Sequence, residues 1–265
     1  MLKDDNNKNG HEALNPIHPS VPLPLDLILV DLYNEHVANT PSGPTDLKLL
    51  RRDYSQLSVL AHDGDRLDIR IDFHGGGWSL GDLNTESHIL AHYTGSVKVC
   101  VVCVAYRLRG RKHCPCSRPL GTRRLISIKL VAVGTPVIDD LRKSNSAADA
   151  PWDRMRLFER APILNCARLK WFDGLKWSSV RLFLPHGRPN SKGLCRQVIA
   201  TADCNPLRDE GEALTSKCVE GAAEVVLRRF DGLPHPFMHM DEVLWQERDF
   251  IALMERKIGR ALQEG

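Results

Sequence analysis

Three consecutive glycines between a histidine and a tryptophan, in Asp72-Phe73-His74-Gly75-Gly76-Gly77-Trp78, are the stretch of this 265-residue chain with the most evident capacity for chemistry. Without Cβ atoms the backbone there can turn through conformations closed to other residues and aim its N–H groups at a ligand. An oxyanion is one such ligand, because fixed backbone donors around a developing negative charge lower the barrier to acyl transfer. Two other stretches bear on the same chemistry. Gly232-Leu233-Pro234-His235-Pro236-Phe237 sets a histidine in a loop, where an ordinary pKa near 6.5 suits proton transfer at neutral pH. Asp203-Cys204-Asn205-Pro206-Leu207-Arg208-Asp209-Glu210-Gly211 offers carboxylates and an amide able to hold an imidazole.

The apolar pattern predicts the elements that must hold these residues. Residues 67–71 alternate as a half-buried strand ahead of the glycines, and 97–106 form a nearly continuous β-branched run, as in a strand buried on both faces. A helix over 84–93 between them gives strand-loop-helix-strand, the unit of a parallel sheet. Further strands are expected at 129–139, 197–202 and 224–230, with helices near 210–218 and over 241–262. The stretches 25–37 and 161–177 read as smaller helices with apolar faces. The expected class is α/β.

In this order the segments resemble the hormone-sensitive-lipase-like, arylacetamide-deacetylase-like esterases. The resemblance rests on the glycine loop, on Tyr106-Arg107-Leu108 ending the second strand, on the segment from Asp203 to Gly211, and on His235 after the last strand. It covers about residues 45–108 and 129–262. It implies an α/β-hydrolase-like, mostly parallel sheet flanked by helices with helical cap elements. Residues 1–44 would be a polar tail and cap-like helix, and 45–265 the hydrolase domain. It further implies hydrolysis of carboxylic esters through an acyl-serine, with an oxyanion hole from His74, Gly75, Gly76 and Gly77, and His235 as general base. No organic cofactor and no metal are implied, and the partner is a small-molecule ester or hydrophobic ligand.

The chain departs from that pattern in two places. Asn205 stands at the position of the catalytic acid, and an amide carries no charge to stabilise an imidazolium; Asp203 and Asp209 would replace it only if the loop shifts. The serine elbow expected between Leu108 and Lys129 is absent, replaced over 107–128 by an atypical basic segment in which Ser117 and Ser127 lack flanking glycines. The string Gly77-Trp78-Ser79-Leu80-Gly81 fits G-x-S-x-G, but it is the tail of the glycine loop, which makes Ser79 a weak nucleophile candidate. Leu67–Phe73 is expected to do the work of two upstream strands, so the sheet is expected to be truncated. A catalytically inactive relative that binds a hydrophobic or ester-like ligand is the alternative reading.

Composition narrows the rest. A net charge of +3 does not point to nucleic acid, and the basic segment has no interleaved aromatic residues for stacking on bases. The longest apolar run, residues 23–32, is broken by Pro24, Asp26 and Asp31, so no membrane span is expected. Eight cysteines without a secretory leader pattern suit free thiols in a reducing compartment, and a cytoplasmic location is the expectation. Cys100 and Cys103 face opposite sides of a strand, and His88 and His92 share a helix face with no third ligand nearby in sequence. Oligomeric state leaves no mark in the sequence.

Overall fold

The computed structural model describes residues 13, 15–22, 25–39, 58–60, 68–106, 108, 128–138, 152–174, 193–240 and 243–264. The basic segment 107–128, apart from Leu108 and Ile128, lies outside them, as do Ser117, Ser127 and most of the expected tail.

Among the described residues two three-stranded sheets form. The first has the order β1-β3-β2, from β1 (Ser58–Leu60), β2 (Ile69–Asp72) and β3 (Cys100–Cys103). The second has the order β4-β5-β6, from β4 (Leu130–Gly134), β5 (Arg196–Ala202) and β6 (Val225–Phe230). Every pairing is parallel except β1 with β3. The antiparallel β1 corrects the expectation that 67–73 stands alone: three residues are too few for alternation to register. Between the two sheets, Lys129 Nζ lies 3.9 Å from Asp68 Oδ1, which joins the segments leading into β4 and β2.

The helices are α1 (Leu27–Leu32), α2 (Ser87–Ser96), α3 (Asp153–Leu157), α4 (Cys166–Gly174), α5 (Arg208–Glu220) and α6 (Trp245–Gln263). α1 continues into a single π-helical turn, Tyr33–Val37. α2 starts three residues later than its apolar pattern predicts, because Asp82 and Thr85 close a turn on each other first: Thr85 Oγ1 accepts from Asp82 N, and Asp82 Oδ1 from Asn84 N.

One core runs under both sheets. Ile89, Leu90 and Tyr93 of α2 and Phe250, Ile251, Met254 and Ile258 of α6 pack on Val101 and Cys103 of β3 and on Val198, Ala200 and Ala202 of β5. The spacing of the α6 residues is a helical stripe, so its sequence turns one face to the sheets. On the opposite face α5 covers β5, with Leu214 and Cys218 on Ile199. Burial of a side chain such as Ile199 contributes about 1.5–3 kcal/mol. On its opposite face the first sheet has no such cover among the described residues: on β2 and just beyond it, Ile69, Ile71 and Phe73 are 67%, 46% and 60% exposed.

Candidate active site

β2 delivers the glycine loop, and hydrogen bonds fix that loop peptide by peptide. His74 Nδ1 donates to Gly75 O at 2.6 Å, which places a proton on that nitrogen. The Tyr106 hydroxyl donates to His74 O at 2.7 Å, and its ring stacks on His74 with centroids 4.4 Å apart. Burial, then the Glu86 and Asp72 charges, push the Tyr106 phenol up to about 12, so it stays a donor. Gly75 N donates to Glu86 Oε1 at 3.2 Å. Gly76 O accepts from Ser79 N at 3.1 Å and Leu80 N at 2.8 Å. In a trans peptide the N–H points opposite to the C=O. Tying Gly75 O and Gly76 O therefore sets the directions of the Gly76 and Gly77 N–H groups.

Both inner glycines are required by geometry. Gly76 and Gly77 have φ of +119° and +58°, and a Cβ on Gly77 would lie 2.5 Å from the Phe172 ring of α4. Gly81 has φ +90°, and a Cβ there would meet His74 Nδ1 at 2.5 Å. The glycines on either side of Ser79 thus answer to Phe172 and His74. Ser79 itself is fully buried in a turn, and α2 begins only at Ser87.

β5 and β6 deliver the other loops. Cys204 N donates to Leu233 O at 2.9 Å, so the Asn205 and His235 loops abut. Asn205 is fully buried, and its Oδ1 accepts from Leu207 N at 3.0 Å. That bond fixes the amide orientation and leaves Nδ2 without an acceptor among the described residues. His235 Nδ1 is likewise buried and unpartnered among them. Burial first, then the His239 and Arg168 charges, push the His235 imidazole down to about 4, so the ring is neutral at pH 7. Asp203 and Asp209 are committed elsewhere. Asp203 accepts from Arg208 at 2.7 Å and pairs with Arg154 at 3.2 Å; Asp209 accepts from Arg208 at 2.8 Å and from Arg154 N at 2.8 Å.

Two side chains that sequence reasoning passed over also belong here. Glu86 Oε2 lies 3.6 Å from His239 Nε2, and the His239 ring is 5.5 Å from that of His88, which faces the buried Glu247 at 3.8 Å. In the sequence Glu86 reads as an ordinary helix-start residue, and His239 lies only four positions after the more conspicuous His235. Beside His239 opens a cavity of about 290 Å³. Leu29, Leu32, Tyr33, Val37, Ile163, Met240 and Val243 line it, with His36 and His239 as its polar members. Asp26 holds α1 against this region, through Asp26 N to Gly232 O at 3.0 Å and Gln246 Nε2 to Asp26 Oδ2 at 2.7 Å. Among the described residues no three His, Cys, Asp or Glu side chains gather as a metal site, and no helix is long and apolar enough to cross a membrane.

A family model described as alpha/beta hydrolase fold matches residues 70–119 and 116–239. The chain is 28% identical over 227 residues to the AB hydrolase superfamily protein C1039.03 of Schizosaccharomyces pombe, covering 66% of this chain and 65% of that protein. It is 24% identical over 251 residues to an arylesterase of Saccharolobus solfataricus, covering 78% and 81%. It is also 24% identical to the carboxylic ester hydrolase LipN of Mycobacterium tuberculosis, covering 67% and 59%. The chain thus spans just under two thirds of the fission-yeast relative and about three fifths of LipN. Among solved structures, an esterase of Pyrobaculum calidifontis superposes with TM-score 0.72 at 19% identity, over 89% of this chain and 99% of that one. A Rhizomucor miehei esterase structure gives 0.68 at 19%, over 94% and 99%.

Proposed function

The chain belongs to the alpha/beta hydrolase fold family, matched from residue 70 to residue 239, and from that premise we propose that its site is built to receive a small carboxylic ester. The observation that carries this reading is the glycine loop, whose tied carbonyls set the directions of the Gly76 and Gly77 N–H groups, the donors an oxyanion hole would use. His74 acts as a wedge that holds the loop, since its Nδ1 proton is spent on Gly75 O. The ester's apolar portion occupies the cavity under α1, and that supports treating the N-terminal helix as a cap.

In the acyl-serine scheme, a serine oxygen bonds to the ester carbonyl while its proton passes to His235, and the leaving alcohol takes that proton as the C–O bond breaks; water then reverses the sequence. Ser79 is the candidate nucleophile among the described residues, with Asn205 at the acid position. A second reading, a relative that retains the ligand without turning it over, is favoured by one observation. Asn205 Oδ1 already accepts from Leu207 N, and the amide carries no charge to stabilise a protonated His235.

One experiment separates the two. Purified protein is incubated with p-nitrophenyl butyrate and, separately, with a fluorophosphonate probe whose adduct is mapped by peptide mass spectrometry. Turnover with an adduct on Ser79 supports the hydrolase. No turnover and no adduct, together with saturable binding of a non-hydrolysable short-chain ester analogue, supports the ligand-retaining reading.

A further inference from the structure

Glu86 occupies the N-cap position of α2, yet its side chain makes no capping bond to its own helix. Its carboxylate is only 15% exposed and turns outward to two other segments. Oε1 accepts the Gly75 N–H at 3.2 Å, and Oε2 lies 3.6 Å from His239 Nε2. Gly75 belongs to the loop leaving β2, and His239 to the 3₁₀ turn Phe237–His239 after β6. A single carboxylate therefore spans loops supplied by the two separate sheets.

The peptide unit between His74 and Gly75 is held at both ends. Its carbonyl takes the Tyr106 hydroxyl and its N–H goes to Glu86. A planar unit pinned at both ends cannot rotate. The next carbonyl, Gly75 O, is pinned by His74 Nδ1, which leaves the Gly76 N–H a single direction.

We propose that Glu86 is a positioning residue, a bracket that fixes the aim of the Gly76 and Gly77 donors and keeps the glycine loop in register with the histidine loop through His239. The functional meaning of that aim rests on the ester-site reading; the bracket itself rests on the geometry. His239 also lines the apolar cavity, so a ligand seated there touches the bracket's far end. The same carboxylate thus lies between the binding of the apolar group and the orientation of the donors.

Hydrogen–deuterium exchange of the peptide covering 74–81 tests this without requiring turnover. Glu86→Ala removes the acceptor, and exchange of that peptide is expected to rise about tenfold. Glu86→Gln keeps an acceptor oxygen and is expected to stay within about threefold of the parent. Glu86→Asp draws the carboxylate back by one methylene and serves if the alanine variant does not fold; its exchange is expected to rise as well. Thermal unfolding of each variant checks that the whole fold is retained. A folded Glu86→Ala or Glu86→Asp protein whose 74–81 peptide exchanges like the parent overturns the proposal.

Activity adds a second arm. With p-nitrophenyl butyrate, Glu86→Ala is expected to lower kcat while KM moves less than about twofold, as for loss of an interaction made only in the transition state. Accelerated exchange in a protein whose parent form neither turns over p-nitrophenyl butyrate nor binds a non-hydrolysable short-chain ester analogue retains the bracket and sinks the ester reading.

Discussion

The two sheets carry opposite deficits. In β4-β5-β6 the central strand is covered on both faces, with Val198, Ile199, Ala200 and Ala202 no more than 1% exposed. Its loops nonetheless hold buried polar atoms without a hydrogen-bond partner among the described residues, Thr135 Oγ1, Asn205 Nδ2 and His235 Nδ1. The sheet β1-β3-β2 leaves Ile69, Ile71 and Phe73 exposed, yet the loop it delivers has its carbonyls from His74 to Gly76 hydrogen-bonded. Apolar cover and polar satisfaction are separate quantities in this molecule. Cover decides how firmly a sheet is held; satisfaction decides how well a loop is aimed.

The largest effect is expected from repairing the polar deficit of the better-packed half. In Asn205→Asp one carboxylate oxygen keeps the Leu207 N–H, and the other becomes available to His235. The charge would also hold the imidazolium that forms during proton transfer. If the chain hydrolyses esters, kcat for p-nitrophenyl butyrate should rise by ~10² or more; the reverse exchange in a serine protease, which costs ~10⁴, marks the ceiling. If the parent is inert, the fluorophosphonate labelling rate is the readout. A folded Asn205→Asp protein with parental turnover and labelling would show that the amide is not what separates the two loops.

Next in size is the contrast in cover. Ile199→Ala opens a cavity between α5 and β5 and is expected to cost about 2–5 kcal/mol by urea unfolding. Ile71→Ala removes a side chain that is nearly half in water and should cost less than about 1 kcal/mol. Similar costs at the two positions would mean that the first sheet is as well covered as the second, and the comparison would fail.

The sequence made some of this arrangement legible and hid the rest, for identifiable reasons. β5 and α6 could be read because Gln197–Ala202 is a long apolar run and the Ile251, Met254 and Ile258 spacing is helical; both patterns report burial, which periodicity measures. The glycine loop could be read because Gly76 and Gly77 need φ values that few other residues adopt. The Glu86–His239 contact could not be read, since it joins residues 153 positions apart and neither lies in a pattern. Nor could the lack of partners for His235 Nδ1 and Asn205 Nδ2 among the described residues. Their loops do abut, as their shared resemblance implies, but whether two polar atoms meet depends on side-chain directions that no spacing encodes. β1 was missed because three residues leave no period to detect.

A third effect concerns His235 and pH. Its unfolded value is near 6.5 and its folded value about 4, so above pH 6.5 both states are neutral and the residue contributes no pH dependence. As pH falls from 6.5 to about 4, the unfolded chain takes up a proton that the folded ring resists. Stability should therefore fall by roughly 2–3 kcal/mol across that window and level off below it. His235→Gln removes this component. Urea unfolding at pH 7, 5.5 and 4 in both proteins isolates it from the carboxylates, and parallel profiles would contradict an imidazole whose Nδ1 is buried without a partner among the described residues.

The smallest effect is the most local and tests whether the glycine loop is held by sterics as well as by hydrogen bonds. Gly77→Ala forces a Cβ into φ +58° and to within 2.5 Å of the Phe172 ring, so it is expected to cost about 2 kcal/mol and to displace α4. Gly75→Ala is the control. Its nearest neighbour would be Glu86 Oε1 at 3.5 Å, ordinary contact at an unexceptional φ, and its cost should stay below about 1 kcal/mol. A large penalty at 77 with little at 75 means that the triple glycine is specified at its last two positions, by two backbone angles and by the contacts a Cβ would make with Leu80 O and with the Phe172 ring, and that the exposed sheet can deliver a fixed loop because α4, from outside that sheet, closes on it. Equal penalties would instead assign the rigidity of the loop wholly to its hydrogen bonds, and the separation between cover and aim would then be complete.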